Sequence, residues 1–227
     1  MWYPYPRSNA IFRFLNCAFI QFRPDHTNVI NERTKPRTRY VEDWEIEEIL
    51  ALPSPRSKGG VKLIQAYIRL KLLTGLRKSD LLRLKMVDLK EDGIHVTTRK
   101  TGKPIIYDWS DDLKNTIELI RGLNKRDITV HVFANRKGLP YIDEKTGNTS
   151  AWDSMWQRFM KRVLDETKIE QRFTEHDLRA KCASDADSLE HAQKLLAHAD
   201  SRITDKIYRR KPERIKPANF YSTNEDL

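Results

Sequence analysis

The chain has 227 residues, room for one large domain or for one domain plus a fragment of another. Its 42 Lys and Arg against 32 Asp and Glu give a net charge of +10 and a pI near 9.6, the balance of a protein that meets a polyanion, nucleic acid foremost. Cys17 and Cys182 form no CxxC, which argues against a disulfide framework or a zinc site and fits reduced cytosol. No apolar run reaches membrane length, and the start, Met-Trp-Tyr-Pro-Tyr-Pro, lacks the pattern of a signal peptide.

Pro4 and Pro6 make residues 1–7 irregular. Ser8 is suited to cap a helix running to about Phe22, whose apolar residues Ile11, Phe12, Leu15, Ala18, Phe19 and Phe22 recur at helical spacing. That stripe needs a surface to pack on. Residues 23–40 read as a linker, interrupted by Pro24 and Pro36 and made basic by Arg33, Lys35, Arg37 and Arg39. It is either a solvated tether or a strand lying across a phosphate backbone.

A compact domain is expected from Arg39 onward. The pattern predicts a helix over 43–52 with Trp44, Ile46, Ile49 and Leu50 inward, ended by Pro53 and Pro55, and a more apolar, central helix over 60–74. Gly75 then relaxes the chain into a turn carrying Arg77, and Ser79 is expected to cap the next helix. A guanidinium in such a turn is either ordinary surface or a rigidly mounted phosphate ligand. The period then changes. Ile94-His95-Val96-Thr97-Thr98 and Pro104-Ile105-Ile106-Tyr107 read as a β-hairpin with Lys100 and Lys103 at or beside its tip, and a strand near 87–90 is expected beside it.

A helix from Ser110 or Asp111 to about Arg121 follows, then a short strand at Val130–Phe133 and a loop over 134–150. The helix 149–165 has an aromatic stripe, Trp152, Trp156 and Phe159 among it, that reads as core rather than as a ligand site. Helices near 177–186, 188–197 and 200–209 complete the domain. They surround Glu175-His176-Asp177-Leu178-Arg179, Leu196-Ala197-His198 and Tyr208. An imidazole moves protons near neutral pH, a guanidinium clamps two phosphate oxygens, and a phenol can act as a covalent nucleophile.

The order of these pieces is more specific than any one of them. Thr74-Gly75-Leu76-Arg77, a lysine hairpin, His176-Asp177-Leu178-Arg179, Leu196-Ala197-His198 and then Tyr208 resembles the catalytic domain of the tyrosine recombinases, the phage integrase family, over roughly residues 39–212. The resemblance implies an α+β, mainly α-helical catalytic domain with a small antiparallel sheet. It divides the chain into 1–38, a remnant helix of a core-binding domain plus basic linker; 39–212, the catalytic domain; and 213–227, a tail. It implies a site-specific DNA recombinase that cleaves and rejoins strands through a 3′-phosphotyrosyl intermediate, with no metal, ATP or other cofactor. Arg77 and Arg179 would bind the scissile phosphate, and Lys100 would protonate the leaving 5′-oxygen, with Lys103 as its substitute. His176 and His198 would move protons or hydrogen-bond the phosphate. Tyr208 would be the nucleophile, with Tyr221 a poor rival beyond two prolines. Arg33, Lys35, Arg37, Arg39, Lys78, Arg99, Lys103, Arg209 and Arg210 are the expected DNA contacts.

The implied partners are double-stranded DNA at recombination sites, further copies of the chain in a tetramer on synapsed DNA, and an accessory protein that bends DNA, all in the cytoplasm with no membrane. Two other readings remain at this point: a non-catalytic DNA-binding remnant, and a type IB topoisomerase with the same chemistry. The chain departs from the family pattern in having Ala197 where a glycine is usual, in the ten-residue step from His198 to Tyr208, one longer than expected, and in its short N-terminal portion.

Overall fold

The helix Gly60–Thr74 is apolar around most of its circumference, so it can only be stable if other elements cover it on several sides. In the computed structural model of the chain, which describes residues 37–54, 60–124, 129–198 and 201–211, they do. Two compact units are distinguished, Met1–Lys35 and Pro36–Leu227. The described residues belong to the second. The expected helix 8–22, Arg33, Lys35 and the tail beyond 211 lie outside them.

The elements in chain order are α1 (Asp43–Ala51), α2 (Gly60–Thr74), α3 (Lys78–Arg83), a single 3₁₀ turn (Met86–Asp88), β1 (Gly93–Thr97), β2 (Pro104–Asp108), α4 (Asp111–Leu123), α5 (Ser150–Glu166), α6 (Glu175–Asp185), α7 (Leu189–Leu195) and α8 (Ser201–Ile203). The last of these runs into a π-helical turn, Thr204–Tyr208. Helix α2 packs against α4, α5 and α6. Its Leu63, Ile64, Tyr67, Ile68 and Leu70 are buried. Tyr67 anchors an aromatic cluster, with its ring 4.6 Å from Trp152, 5.4 Å from Phe133 and 6.4 Å from Trp156. Truncating a buried aromatic in such a cluster to alanine costs about 3–5 kcal/mol, so the stripe on α5 is core, as its periodicity indicates. No helix of the described residues is long and apolar enough to cross a membrane.

The sheet has two antiparallel strands, with Gly93 opposite Asp108 and Thr97 opposite Pro104. The strand expected at 87–90 is instead the 3₁₀ turn plus one bridge from Leu89 to Ile94, and the segment at 130–133 makes only a bridge between His131 and Lys85. Val130-His131-Val132-Phe133 has β-type composition, but both stretches are too short to extend a ladder. Two further local expectations differ. Trp44 faces outward while Ile46 and Ile49 are buried. Helix α3 begins one residue before Ser79, with Arg77 itself as N-cap and no side-chain cap bond.

Helix α6 starts at Glu175 rather than at 177 because Thr174 and Asp177 form a capping box. The Asp177 N–H donates to Thr174 Oγ1 (3.3 Å), and the Thr174 N–H donates to Asp177 Oδ2 (2.8 Å). Small residues on α6 and α7, Ala180, Ala183 and Ala192, then allow Leu196 and Tyr208 to settle against them as a second, smaller core.

Candidate active site

Three local structures bring the site together. The first is the turn between α2 and α3. Gly75 has φ +62°, and a Cβ there would meet Leu196 Cδ2 at 2.9 Å and Cys182 Sγ at 3.1 Å, so only glycine fits both the conformation and the space. Arg77 follows at the mouth of the turn, half-buried, and its Nη1 is buried without a hydrogen-bond partner.

The second is the hairpin. Thr98 and Lys103 close the loop by a backbone bond of 3.0 Å, which leaves Arg99, Lys100 and Lys103 exposed around its tip. The loop is fastened to the first structure by Asp80, one turn beyond Arg77. Its Oδ1 accepts the Arg99 N–H at 3.3 Å, and its carboxylate is buried. On the other side Tyr107 Oη donates to the Leu195 carbonyl at 3.0 Å, tying β2 to the end of α7.

The third is the run from α6 to the π-helical turn. Arg179 is buried. Its Nη1 donates to the Gly75 carbonyl, and its Nη2 donates to the Leu196 carbonyl (2.7 Å) and lies 3.3 Å from His198 Nε2. Arg179 Nε is buried with no partner. Because a guanidinium only donates, His198 Nε2 must be the acceptor. The ring proton is then on Nδ1, donated to Thr204 Oγ1 at 2.9 Å. The Tyr208 ring lies 4.9 Å from that of His198, 5.0 Å from that of His176, and 5.5 Å from the Arg179 guanidinium carbon. Its own backbone is pinned, since Ser184 Oγ donates to the Tyr208 carbonyl (2.8 Å) and accepts the Arg210 N–H (2.7 Å).

The extra residue between His198 and Tyr208 is taken up by the π-helical turn, whose wider circumference returns Tyr208 to the two imidazoles. The alanine in place of glycine is also visible. Ala197 has φ +53°, the left-handed conformation that glycine adopts without strain.

The electrostatics are those of a concentrated positive site. Burial first, then the charges of Arg179, Arg77 and Lys100, push the His198 imidazole down to about 4, so the ring is neutral at pH 7. Desolvation, then Arg210, likewise lowers His176 although its outer edge is exposed, and Asp177 opposes this. Burial and Arg77 lower Arg179, with Tyr208 acting in the opposite direction. Buried guanidinium atoms without partners also occur at Arg39, Arg83 and Arg162. Among the described residues, only at Arg77 and Arg179 do two such arginines adjoin a pair of imidazoles and a phenol.

The structure therefore brings Arg77, His176, Arg179, His198 and Tyr208 together and puts Lys100 within electrostatic reach. Several of the expected DNA contacts stand differently. Arg39 is held by Glu45 (2.5 Å) and Gln171, and Arg210 by Asp177 (2.6 Å) and the Arg39 carbonyl (2.8 Å). These two guanidinia are committed within the protein. Lys78 pairs with Asp153 (2.7 Å) and Arg37 with Asp177 (3.1 Å), both while partly exposed. Arg209 is half-buried beside the site, and Arg99 and Lys103 are exposed with no ion pair among the described residues. Sequence reasoning missed Asp80, Tyr107, Ser184 and Thr204. All four act through contacts distant in sequence or through one turn of backbone, and only Asp80, three residues after Arg77, had a positional cue.

Among solved structures, a dimer of lambda integrase residues 75–356 bound to a COC′ core site superposes with a TM-score of 0.59 at 18% identity, covering 80% of this chain and 63% of that one. XerA recombinase gives 0.58 at 19% identity, covering 77% and 61%. The Tn1549 transposon integrase in complex with circular intermediate DNA gives 0.59 at 16%, covering 83% and 64%. At these identities the likeness establishes a shared fold, that of the tyrosine recombinase catalytic domain, and the chain spans less than two thirds of the length of each. Among curated protein sequences there is no significant match. The profile of the phage integrase family matches residues 39–214, from the first described segment through Tyr208, and the chain belongs to that family.

Proposed function

We propose that the chain is the catalytic part of a site-specific tyrosine recombinase acting on double-stranded DNA. The observation that supports this most strongly is the convergence on Tyr208 of His176, His198 and Arg179, each within 5.5 Å of its ring, beside two buried arginine donors that lack partners. A phosphodiester brought between Arg77 and Arg179 supplies the acceptors those donors lack. Preorganised cationic donors of this kind are the main lever in phosphoryl transfer.

In the proposed reaction Tyr208 Oη forms a bond to phosphorus as the bond from phosphorus to the 5′-oxygen breaks. The phenolic proton passes to an imidazole or to solvent, and Lys100 at the hairpin tip protonates the leaving 5′-oxygen. The product is a 3′-phosphotyrosyl link plus a 5′-hydroxyl. The link keeps the energy of the phosphodiester, so a 5′-hydroxyl from a second strand can reverse the step and join new ends. The neutral His198 deduced above cannot donate from Nε2. Phosphate binding offsets the surrounding positive charge, raises the affinity of that nitrogen for a proton and turns it into a donor. Assembly as a tetramer on synapsed DNA, with an accessory bending protein, is part of the same proposal. The tetramer is supported by the lambda integrase tetramer bound to a Holliday junction, a chain whose fold this one shares.

The test is covalent trapping. The protein is incubated with a pool of nicked, end-labelled duplexes and run on a denaturing gel. An adduct with wild type and with Tyr221→Phe, lost in Tyr208→Phe, is the expected result. An adduct that persists in Tyr208→Phe removes Tyr208 as nucleophile, and salt-dependent DNA binding with no adduct refutes the catalytic reading.

A further inference from the structure

Lys71 is fully enclosed in α2, outside the set of residues that would touch DNA, and its amine lies directly beneath the turn that carries Arg77. We propose that Lys71 is a positioning residue that fixes the Gly75–Arg77 turn from below, so that Arg77 and Arg179 stand at the separation a single phosphate requires. The proposal rests on the recombinase reading for its functional consequence.

The turn leaves little to chance. The Gly75 N–H donates to the Lys71 carbonyl (2.8 Å), and the Gly75 carbonyl accepts from Arg179 Nη1. The Leu76 N–H faces Thr74 Oγ1 (3.4 Å), and the Leu76 carbonyl accepts from Lys71 Nζ (2.9 Å). Every backbone polar group of residues 75 and 76 thus has a partner, and two of the four partners are basic side chains reaching in from α2 and α6. The Leu76 carbonyl belongs to the peptide plane that leads into Arg77. Holding it sets the direction in which that guanidinium leaves the chain.

The surroundings of Lys71 join the two halves of the site. Its amine is 3.5 Å from Tyr67 Oη, which donates to Glu175 Oε1 at 2.6 Å. The same Glu175 oxygen accepts from Trp152 Nε1 at 3.0 Å, and its other oxygen is 4.0 Å from Lys78 Nζ. Glu175 is the residue before His176. A buried network therefore runs from the Arg77 turn, through α2, to the start of the helix that bears His176 and Arg179. Burial lowers the Lys71 amine to about 7 against the opposing charge of Glu175. An apolar side chain of similar volume avoids that desolvation but leaves the buried Leu76 carbonyl without its donor. What the lysine supplies is that bond.

The variants are Lys71→Met, which keeps the volume, and Tyr67→Phe, which removes the donor to Glu175. The readouts are single-turnover adduct formation and anisotropy-measured affinity with the nicked-duplex pool, the melting temperature, and the ¹⁵Nε–H resonance of Arg77. For Lys71→Met, adduct formation falls about tenfold to a hundredfold, the range expected for misplacement of a charge-stabilising group. Affinity for the pool stays within about twofold, the melting temperature falls by no more than about 2–12 °C, the cost of one carbonyl left without a donor, and the Arg77 resonance broadens or disappears. A rate within twofold of wild type, or a loss of rate matched by the loss of affinity, overturns the proposal. If Lys71→Met does not fold, Tyr67→Phe decides: a slowed rate at unchanged affinity supports the role, and an unchanged rate overturns it. If wild type forms no adduct, the recombinase reading fails separately. The Arg77 resonance then decides the structural role of Lys71, and a signal identical in wild type and Lys71→Met overturns it.

Discussion

Asp177 is the residue whose loss has the clearest expected size. It is fully buried, and both of its oxygens are occupied: Oδ1 by Arg210 Nη1 (2.6 Å) and Arg37 Nε (3.3 Å), and Oδ2 by the Thr174 N–H and hydroxyl (2.8 Å each) and Arg37 Nη2 (3.1 Å). Burial alone would raise its carboxyl, but the bonds from Arg210, Thr174 and Arg37 outweigh it and hold the group below the ordinary carboxylate value. Asp177→Asn turns one acceptor into an N–H₂ that faces donors, and leaves the Arg210 guanidinium buried without its counter-charge. Removing one partner of a buried pair costs about 3–5 kcal/mol.

In a domain of this size each kcal/mol lowers the melting temperature by about 2–4 °C, so the variant should melt about 6–20 °C lower. The two arginines separate the contributions. The Arg210 side chain is 5% exposed and that of Arg37 50% exposed, so Arg210→Met should cost several times what Arg37→Met costs, the latter about 1 kcal/mol or less. Because Arg210 follows Tyr208 by two residues, trypsin should also cut Asp177→Asn faster at Arg209 to Lys211. Urea titrations of the three variants, read at pH 7.5, give the values. Asp177→Asn within about 1 kcal/mol of wild type, or Arg37→Met costing more than Arg210→Met, would refute the reasoning.

Three other expectations follow from the site. The fall of His198 from 6.5 to about 4 corresponds to about 3 kcal/mol favouring the neutral ring in the folded chain. That stability is fully present above pH 6.5 and is lost as the pH falls toward 4. Urea midpoints at pH 7.5 and 5 should differ more in wild type than in His198→Asn, where the lowered His176 still contributes, while NMR of the His198 imidazole should show its protonation moving to higher pH when DNA is added. Ala197→Gly relieves a left-handed alanine at about 1–2 kcal/mol but adds unfolded-chain entropy of about 0.4–1 kcal/mol, so it should stabilise by up to about 1.6 kcal/mol; a loss in thermal melting would contradict the strain. Lys100→Ala should slow adduct formation far more than Lys103→Ala, because the charge of Lys100 reaches His198; measured on a substrate whose 5′-oxygen is replaced by sulfur, a better leaving group, the Lys100→Ala defect should largely vanish.

The legible parts of this chain are those where one local rule decides. Gly75 before Arg77, the alternation flanking the Lys100 loop, and the apolar face of α2 each report their own backbone, and the structure agrees with them. The failures have the opposite character. Trp44 sits on a helix whose inward face is narrower than its apolar content. The segments at 87–90 and 130–133 each make a single bridge and go no further, because their neighbours do not stay alongside long enough to form a ladder. Arg39 and Arg210, expected at DNA, carry ion pairs that nothing in their basic stretches announces. Glu45 and Asp177, which hold them, are recognisable as partners only once α1 and α6 have packed. Thr204 and Ser184 were invisible for a related reason: a hydroxyl reveals nothing until the atom it meets is known.

The π-helical turn at Thr204–Tyr208 bears on how such sites should be searched for. Counting residues treats the step from a histidine to its tyrosine as a fixed ruler, and by that ruler this chain is one mark too long. Measured in space, Tyr208 stands 4.9 Å from one imidazole and 5.0 Å from the other, and the surplus residue has gone into the girth of a single turn. A pattern that tolerates one insertion there, together with a glycine-to-alanine exchange beside the histidine, would retrieve chains that a rigid signature rejects.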